Sequence, residues 1–187
     1  MFYSIKGKII QKMENSFILE VGDIGYQIFV SDFLLAKTKL GQEIKLWVFL
    51  YLREETIELY GFETEEELDF FKKLNAIPNI GPKSALGILS AIKISELKKA
   101  ILNENQEVLT KVSGIGKKTA ERIIVEMKGK VEKMLEATAI VEDSEVIDAL
   151  VKLGYPLKEA REVVRKIPEN IKGAKERLRE ALRLISH

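Results

Sequence analysis

The chain has no cysteine and a single histidine, His187, at its last position. Disulfides, iron–sulfur clusters and cysteine-ligated zinc are therefore excluded. A multi-histidine metal centre and a Ser-His-Asp triad are excluded by the same scarcity. Proline is sparse, at 4 residues, and aromatics make up only 7% of the chain. An excess of either charge is also missing: 30 Lys and Arg face 29 Asp and Glu, a net of +1, so total charge gives no argument for a polyanion partner. No uninterrupted apolar run reaches the ~18–20 residues of a membrane span. The opening Met1-Phe2-Tyr3-Ser4-Ile5-Lys6-Gly7 has no signal-peptide apolar core, so a cytoplasmic location is expected. What remains is ordinary folded composition, 46% hydrophobic and 32% charged over 187 residues.

The balanced charge is not evenly spread. Residues 65–130 carry 12 basic and 9 acidic residues, whereas residues 1–64 carry 7 and 9. A basic surface must therefore come from local geometry in the middle third. The first 62 residues read as strands: Ile5 to Ile10, Ser16 to Val21, Gly25 to Val30, Ile44 to Leu52 and Thr56 to Phe62. β-Branched and aromatic enrichment supports this. Gly22-Asp23-Ile24-Gly25 reads as a turn, and Arg53-Glu54-Glu55 falls at a hairpin tip. Five short strands with early hairpins suit a small closed barrel. In that barrel the alternating Trp47 and Phe49 are expected to fill the core rather than form a base-stacking platform.

At Thr64 the period changes. Thr64 with Glu67 makes a capping box, and Leu68, Phe71 and Leu74 recur at helical spacing. Helices are expected over roughly 65–75, 82–91, 95–103, 105–111 and 117–133, then a short linker over 134–143. A separate bundle follows, with helices at about 144–153, 156–166 and 172–185. Gly154 suits the left-handed position after a helix. Pro156 fits a first helical turn, and Pro168 a helix stop. Val146, Leu150, Leu153, Ala160, Val163, Val164, Leu178, Ala181, Leu182 and Ile185 form this bundle's expected core.

The middle segment holds one motif twice, at a constant offset of 35 residues. Ile77-Pro78-Asn79-Ile80-Gly81-Pro82-Lys83-Ser84-Ala85 aligns with Val112-Ser113-Gly114-Ile115-Gly116-Lys117-Lys118-Thr119-Ala120. Asn79 and Gly114 share a position, and both tolerate a left-handed backbone. Each copy reads as helix, tight hairpin, helix. Unpaired N–H groups at the second helix's start can hold a phosphate oxygen, aided by the helix dipole. Glycine permits close approach, and Lys83 or Lys118 adds a charge-assisted contact. Candidate phosphate-binding residues are Asn79, Gly81, Lys83, Ser84, Gly114, Gly116, Lys117, Lys118, Thr119 and Arg122. Such contacts position DNA without reading its sequence. A turn that merely joins two packed helices is the plainer explanation of one copy. Two copies at fixed spacing, each with its lysine, weigh against it. Neither is a Walker A loop, since Gly116-Lys117-Lys118-Thr119 lacks the upstream glycine and follows no strand.

These motifs resemble the RuvA family of Holliday-junction-binding proteins. The resemblance is carried by Leu52-Arg53-Glu54-Glu55 through Tyr60-Gly61-Phe62, by Ile80-Gly81-Pro82-Lys83, and by Gly114 through Arg122. Ile124-Val125-Glu126-Met127-Lys128 and Ala149-Leu150-Val151-Lys152-Leu153-Gly154-Tyr155 extend it over essentially the whole chain. It implies an α+β multidomain protein. An N-terminal five-stranded OB-like barrel (1–63) precedes a domain with two helix-hairpin-helix motifs (64–133). After the linker comes a three-helix UBA-like bundle (144–187). The implied function is structure-specific, sequence-independent binding of four-way DNA junctions, which are held open while the RuvB motor ATPase is recruited for branch migration in recombination and repair. The resemblance further implies a homotetramer, sometimes doubled face to face, and the RuvC resolvase as a partner through the shared junction complex. It implies no cofactor, no metal and no catalytic residue.

Under the resemblance Glu54 and Glu55 are an acidic pin near the junction centre, repelling phosphates. As bare residues, such a pair is more often a solvated turn, and two adjacent acids alone make a poor two-metal site. Leu153, Gly154, Tyr155 and Pro156 are the candidate partner-binding loop of the bundle; a bundle that simply packs on the middle domain is the alternative. The competing function is a general helix-hairpin-helix DNA-binding module or a repair enzyme such as a glycosylase. The latter needs a catalytic acid or lysine beside a base pocket. Lys128 and Glu126 sit on an ordinary helix, and the sequence offers no such pocket.

Overall fold

A computed structural model describes residues 2–168 and 170–185, with only the backbone of Ala139; His187 lies outside the described residues. The chain divides into two compact units, Met1–Gly129 and Lys130–His187. Five strands open the first unit: β1 (Ser4–Lys12), β2 (Ser16–Val21), β3 (Ile24–Phe29), β4 (Glu43–Arg53) and β5 (Thr56–Phe62). They close into a barrel in the order β1-β2-β3-β5-β4. All pairs are antiparallel except β3 with β5, which run parallel through Ile28↔Leu59 and Phe29↔Tyr60. Closure leaves no free edge to pair with another chain. The β2–β3 turn is tight because Gly22 (φ 54°) and Asp23 (φ 64°) are both left-handed.

Ile9, Phe17, Leu19, Ile28, Leu46 and Val48 fill the barrel. Gly61 also faces inward, where a Cβ would stand 2.6 Å from Ile28 Cγ2 and 3.0 Å from Leu46 Cδ1. Leu34 completes this core from a helix that sequence periodicity did not announce, α1 (Asp32–Lys37). Ser31 caps it by accepting from the Leu34 N–H at 3.3 Å. Six residues are too few to display a helical repeat, so only the cap residue could have signalled it.

The expected place of Trp47 and Phe49 needs correction. They do not fill the barrel; Leu46 and Val48 do. Trp47 and Phe49 point outward, beside their cross-strand partners Phe62 and Tyr60. This outer face is covered by α2 (Glu65–Asn75). Phe71 of α2 packs against Phe49 (5.3 Å between centroids), Tyr60 (5.3 Å) and Phe62 (4.8 Å). A strand covered on both faces is apolar throughout, so alternation cannot tell core from outer face. Tyr3 donates to Glu65, and its ring meets Trp47 edge-on at 5.2 Å. The capping box stands as read: Glu67 N–H donates to Thr64 Oγ1 at 3.1 Å, and Thr64 N–H to Glu67 Oε2 at 3.4 Å.

Beyond α2 come α3 (Pro82–Ala91), α4 (Ile94–Leu102), α5 (Gln106–Thr110) and α6 (Lys117–Lys152). The separate helices expected over 117–133 and 144–153 are instead one, and 134–143, expected as a linker between them, is helical. That segment holds no Pro or Gly, and its Ala, Leu and Glu favour helix. Its last two acids also have partners further along the second unit, to which the segment belongs. Glu142 accepts from the Gly173 N–H at 3.0 Å, and Asp143 accepts from Arg177 Nε at 2.9 Å.

The second unit comprises the end of α6 with α7 (Leu157–Val164) and α8 (Ala174–Ile185). Val146, Leu150, Ala160, Val163, Val164, Ile167 and Ala181 form its core. Leu153 does not join them, being 60% exposed. Pro156 is the N-cap of α7 rather than a first-turn residue, and α7 ends at Val164, ahead of Pro168. Arg177 is buried at 6% exposure, with Nη1 donating to Ile171 O at 2.9 Å besides its pairing with Asp143. No helix among the described residues is long and apolar enough to cross a membrane.

Phe71 joins the barrel to the helices, so Phe71→Ala should destabilise the first unit by about 3–5 kcal/mol. Denaturant unfolding followed through Trp47, the chain's one tryptophan, would check it. An unchanged midpoint would show that the aromatic plate is dispensable.

Candidate nucleic-acid interface

The two hairpins are the same structure built twice. In the first, Ile80 N–H donates to Ile77 O at 3.0 Å; in the second, Ile115 N–H donates to Val112 O at 3.0 Å. The third turn residue is left-handed in both, Asn79 at φ 68° and Gly114 at φ 81°. With Pro78 in the second position, the first turn has the type II pattern. The following helices start alike: Ala85 N–H donates to Gly81 O and Ala120 N–H to Gly116 O, each at 2.9 Å. Beneath each turn the same positions are buried: Leu74 and Leu109, Ile77 and Val112, Ile80 and Ile115, Ala85 and Ala120, Ile88 and Ile123. The 35-residue offset is therefore a packing repeat as well as a sequence repeat.

What the hairpins present outward is bare backbone. A Cβ at Gly81, Gly114 or Gly116 would meet nothing within 4 Å. Gly81 also has an unstrained φ of −82°. Neither internal packing nor backbone conformation requires glycine there. The missing side chain instead clears an approach to the first-turn N–H groups of Lys83 and Ser84, and Gly116 does so for Lys118 and Thr119. No side chain caps α3, and Pro82 at its first position has no N–H to leave unpaired. Open N–H groups at a helix start are chemically suited to an anion.

Asn79, Lys83, Ser84, Lys117, Lys118 and Arg122 are exposed, and Thr119 is half-buried. The two hairpins are brought together directly: Arg122, from the second, donates through Nη1 to Pro78 O of the first at 3.4 Å. A cleft of about 470 Å³ is lined by Lys83 and Gly87 of α3 together with Lys111, just before the second turn, and Ser113 within it. Residues far apart in sequence thus face one solvent-filled surface.

The acidic pair sits where the sequence placed it. Glu54 and Glu55 form the two-residue turn between β4 and β5, above the Arg53↔Thr56 pair, and both are exposed. Neither carboxylate has an ion-pair partner among the described residues, whereas Arg53 lies over the Tyr51 ring at 5.2 Å. The tip carries two carboxylates without ion-pair partners beside the single positive charge of Arg53. Below it, Leu52 and Ile57 are exposed at 66% and 76%.

Sequence reasoning missed Glu58. It lies on β5 with its side chain 14% exposed, accepting from Tyr60 OH at 2.6 Å and pairing with Lys83 Nζ at 3.4 Å. Burial first, then this hydrogen bond, holds the Tyr60 hydroxyl proton well above the ordinary phenol range. An acid between apolar strand residues was a visible oddity. Its partner, in a different element, was not.

In the second unit, the candidate partner loop ends α6 in a Schellman motif. Gly154 is left-handed at φ 97°, its N–H donates to Val151 O at 3.0 Å, and Tyr155 N–H donates to Leu150 O at 3.1 Å. Tyr155 packs on the bundle core. Val151, Leu153 and Leu157 remain exposed around it, at 41%, 60% and 48%. Of the four loop residues, Leu153 is thus the one offering a large apolar surface.

Comparison with known proteins covers nearly the whole chain. Models for the RuvA N terminal domain, a SAM-like helix-hairpin-helix tandem and the RuvA C-terminal domain match residues 1–61, 71–128 and 143–186. Proteins named Holliday junction branch migration complex subunit RuvA are similar over most of their length. The Rickettsia typhi protein is 39% identical, over 89% of this chain and 88% of its own. That of Acetivibrio thermocellus is 39% identical over 88% of both, and that of Clostridium botulinum 38% over 99% of both.

Lys118→Ala removes a charge facing the open second hairpin. It should weaken binding to duplex and four-way DNA alike. The slope of log affinity against log salt should fall by about 1 for each phosphate no longer neutralised. Titrations at several salt concentrations measure both, and an unchanged affinity and slope would remove Lys118 from the interface.

Proposed function

The chain belongs to the RuvA family, and we propose on that footing that it binds four-way DNA junctions, holds them open and engages the RuvB motor for branch migration. The observation that carries this reading is the pairing of two opposite surfaces in one compact unit. Two glycine-faced hairpins offer N–H groups and lysines to phosphates, while a projecting β-hairpin ends in unpaired Glu54 and Glu55. Attraction at the hairpins grips duplex arms without reading bases. Repulsion at the tip matters only where strands must be kept from closing up.

In this proposal the residues divide the work as follows. Asn79 and Gly114 set the turns that aim the N–H groups outward. Gly81 and Gly116 let the backbone approach, with Ser84 and Thr119 in the same first turns. Lys83, Lys117, Lys118 and Arg122 neutralise phosphate charge. Four copies assembled as a homotetramer, alone or doubled face to face, place four acidic tips around the crossover and eight hairpins along the arms. That arrangement favours an open junction over stacked arms. Leu153, Gly154, Tyr155 and Pro156 dock RuvB, and the RuvC resolvase joins through the same junction. The protein works in the cytoplasm and performs no chemistry itself, the motor ATPase supplying the work.

Changing both Glu54 and Glu55 to Gln keeps their shape and removes two charges per subunit. Binding should tighten, to plain duplex as well, so that junction selectivity falls. The gain should shrink as salt rises and screens the lost repulsion. Competition between junction and duplex DNA at two salt concentrations reads this out, and full retention of selectivity would discard the pin assignment.

Deleting residues 144–187 should leave junction affinity and oligomer size unchanged and abolish stimulation of the RuvB ATPase. Light scattering and ATP turnover test it. Loss of oligomer mass would mean that the tail builds the assembly instead of docking the motor.

A further inference from the structure

The two hairpins share a backbone but not an electrostatic environment. Lys83 and Lys118 hold the same place, the second residue of α3 and of α6. Lys118 has no ion-pair partner among the described residues. Lys83 faces Glu58 at 3.4 Å. The members of that pair differ in freedom. The Glu58 side chain is 14% exposed and fixed by Tyr60, whose ring is fully buried against Phe71 and Phe29. The Lys83 side chain is 79% exposed. The carboxylate is built in, and the lysine can swing away from it. Glu58 also follows Glu54 and Glu55 on the same ribbon, so negative charge runs from the tip back to the first hairpin.

We propose that Glu58 is a specificity-determining counter-ion, which neutralises Lys83 so that a phosphate gains the first hairpin only by displacing a fixed carboxylate, while the second hairpin stands open. This rests on reading both hairpins as phosphate sites. Its consequence is a hierarchy. The second hairpin supplies the ordinary grip, and the first engages only where the DNA path presses a phosphate against it. An arm held in a junction meets that condition through its other contacts; a free duplex does not. Because the pair is solvent-exposed on one side, its hold is modest, worth roughly two- to five-fold in affinity per hairpin.

The test uses the full-length protein with plain duplex and four-way DNA at several salt concentrations. Glu58→Gln keeps an acceptor for Tyr60 and removes the charge. It should tighten duplex binding by roughly two- to five-fold per engaged hairpin and steepen the salt slope by about 1. Adding Lys83→Ala should erase that gain. With Glu58 intact, Lys83→Ala should cost less affinity for duplex than Lys118→Ala. Unchanged or weaker binding by Glu58→Gln, or a gain that survives Lys83→Ala, overturns the inference. Should Glu58→Gln fail to fold, judged by Trp47 fluorescence, equal losses from Lys83→Ala and Lys118→Ala overturn it by themselves. If Lys118→Ala weakens no DNA, the hairpins are not phosphate sites, and that separate failure removes both readings.

Discussion

The β4–β5 ribbon buries apolar side chains from both of its faces, and the first unit is organised around that fact. Its inner face, through Leu46, Val48 and the side-chain-free Gly61, closes the barrel. Its outer face, through Phe49, Tyr60 and Phe62, receives Phe71. One two-stranded element thus carries the barrel on one side and the first helix of the hairpin region on the other. Burying large aromatic rings is among the stronger stabilising contributions available to a small domain. The free end of the same ribbon carries Glu54 and Glu55. The acidic tip and the helix that leads into the first hairpin therefore rest on the same ribbon.

The chemistry of the interface comes from exposing backbone rather than from concentrating charge. A net of +1 over 187 residues would not draw the chain to DNA. Two helix starts with open glycine surfaces create partial positive charge where the sequence balance shows none. The buried apolar positions beneath each turn hold the hairpin backbone in place. Lysines then add to a surface whose direction is already set, and Glu58 subtracts from one of its two halves.

The second unit solves a different problem. Its core is small, and a buried guanidinium adds to it the hydrogen bonds that Arg177 makes to Asp143 and to Ile171 O. Breaking such a pair from one side leaves a charge without a partner, so the arrangement favours one geometry of α6 against α8. Leaving Val151, Leu153 and Leu157 at the surface is tolerated because the core is completed elsewhere.

How much of this was legible in the sequence follows from how local each signal is. Strand runs, the Thr64 capping box, the left-handed Asn79, Gly114 and Gly154, the duplicated hairpin and the acidic tip each occupy a few consecutive residues. Backbone sterics and short-range hydrogen bonds fix them, so the sequence by itself determined them. The continuity of α6 through 134–143 was half legible: its residues favour helix, but its acids gain partners only once Gly173 and Arg177 fold back on them. The outward turn of Trp47 and Phe49, the plug made by Leu34, the bridge from Arg122 to Pro78 and the Glu58–Lys83 pair were decided by the tertiary structure alone. Each depends on which distant element covers a face or meets a charge. Local pattern carries no record of that choice, because burial and Coulomb attraction act between neighbours in space, whatever their separation along the chain.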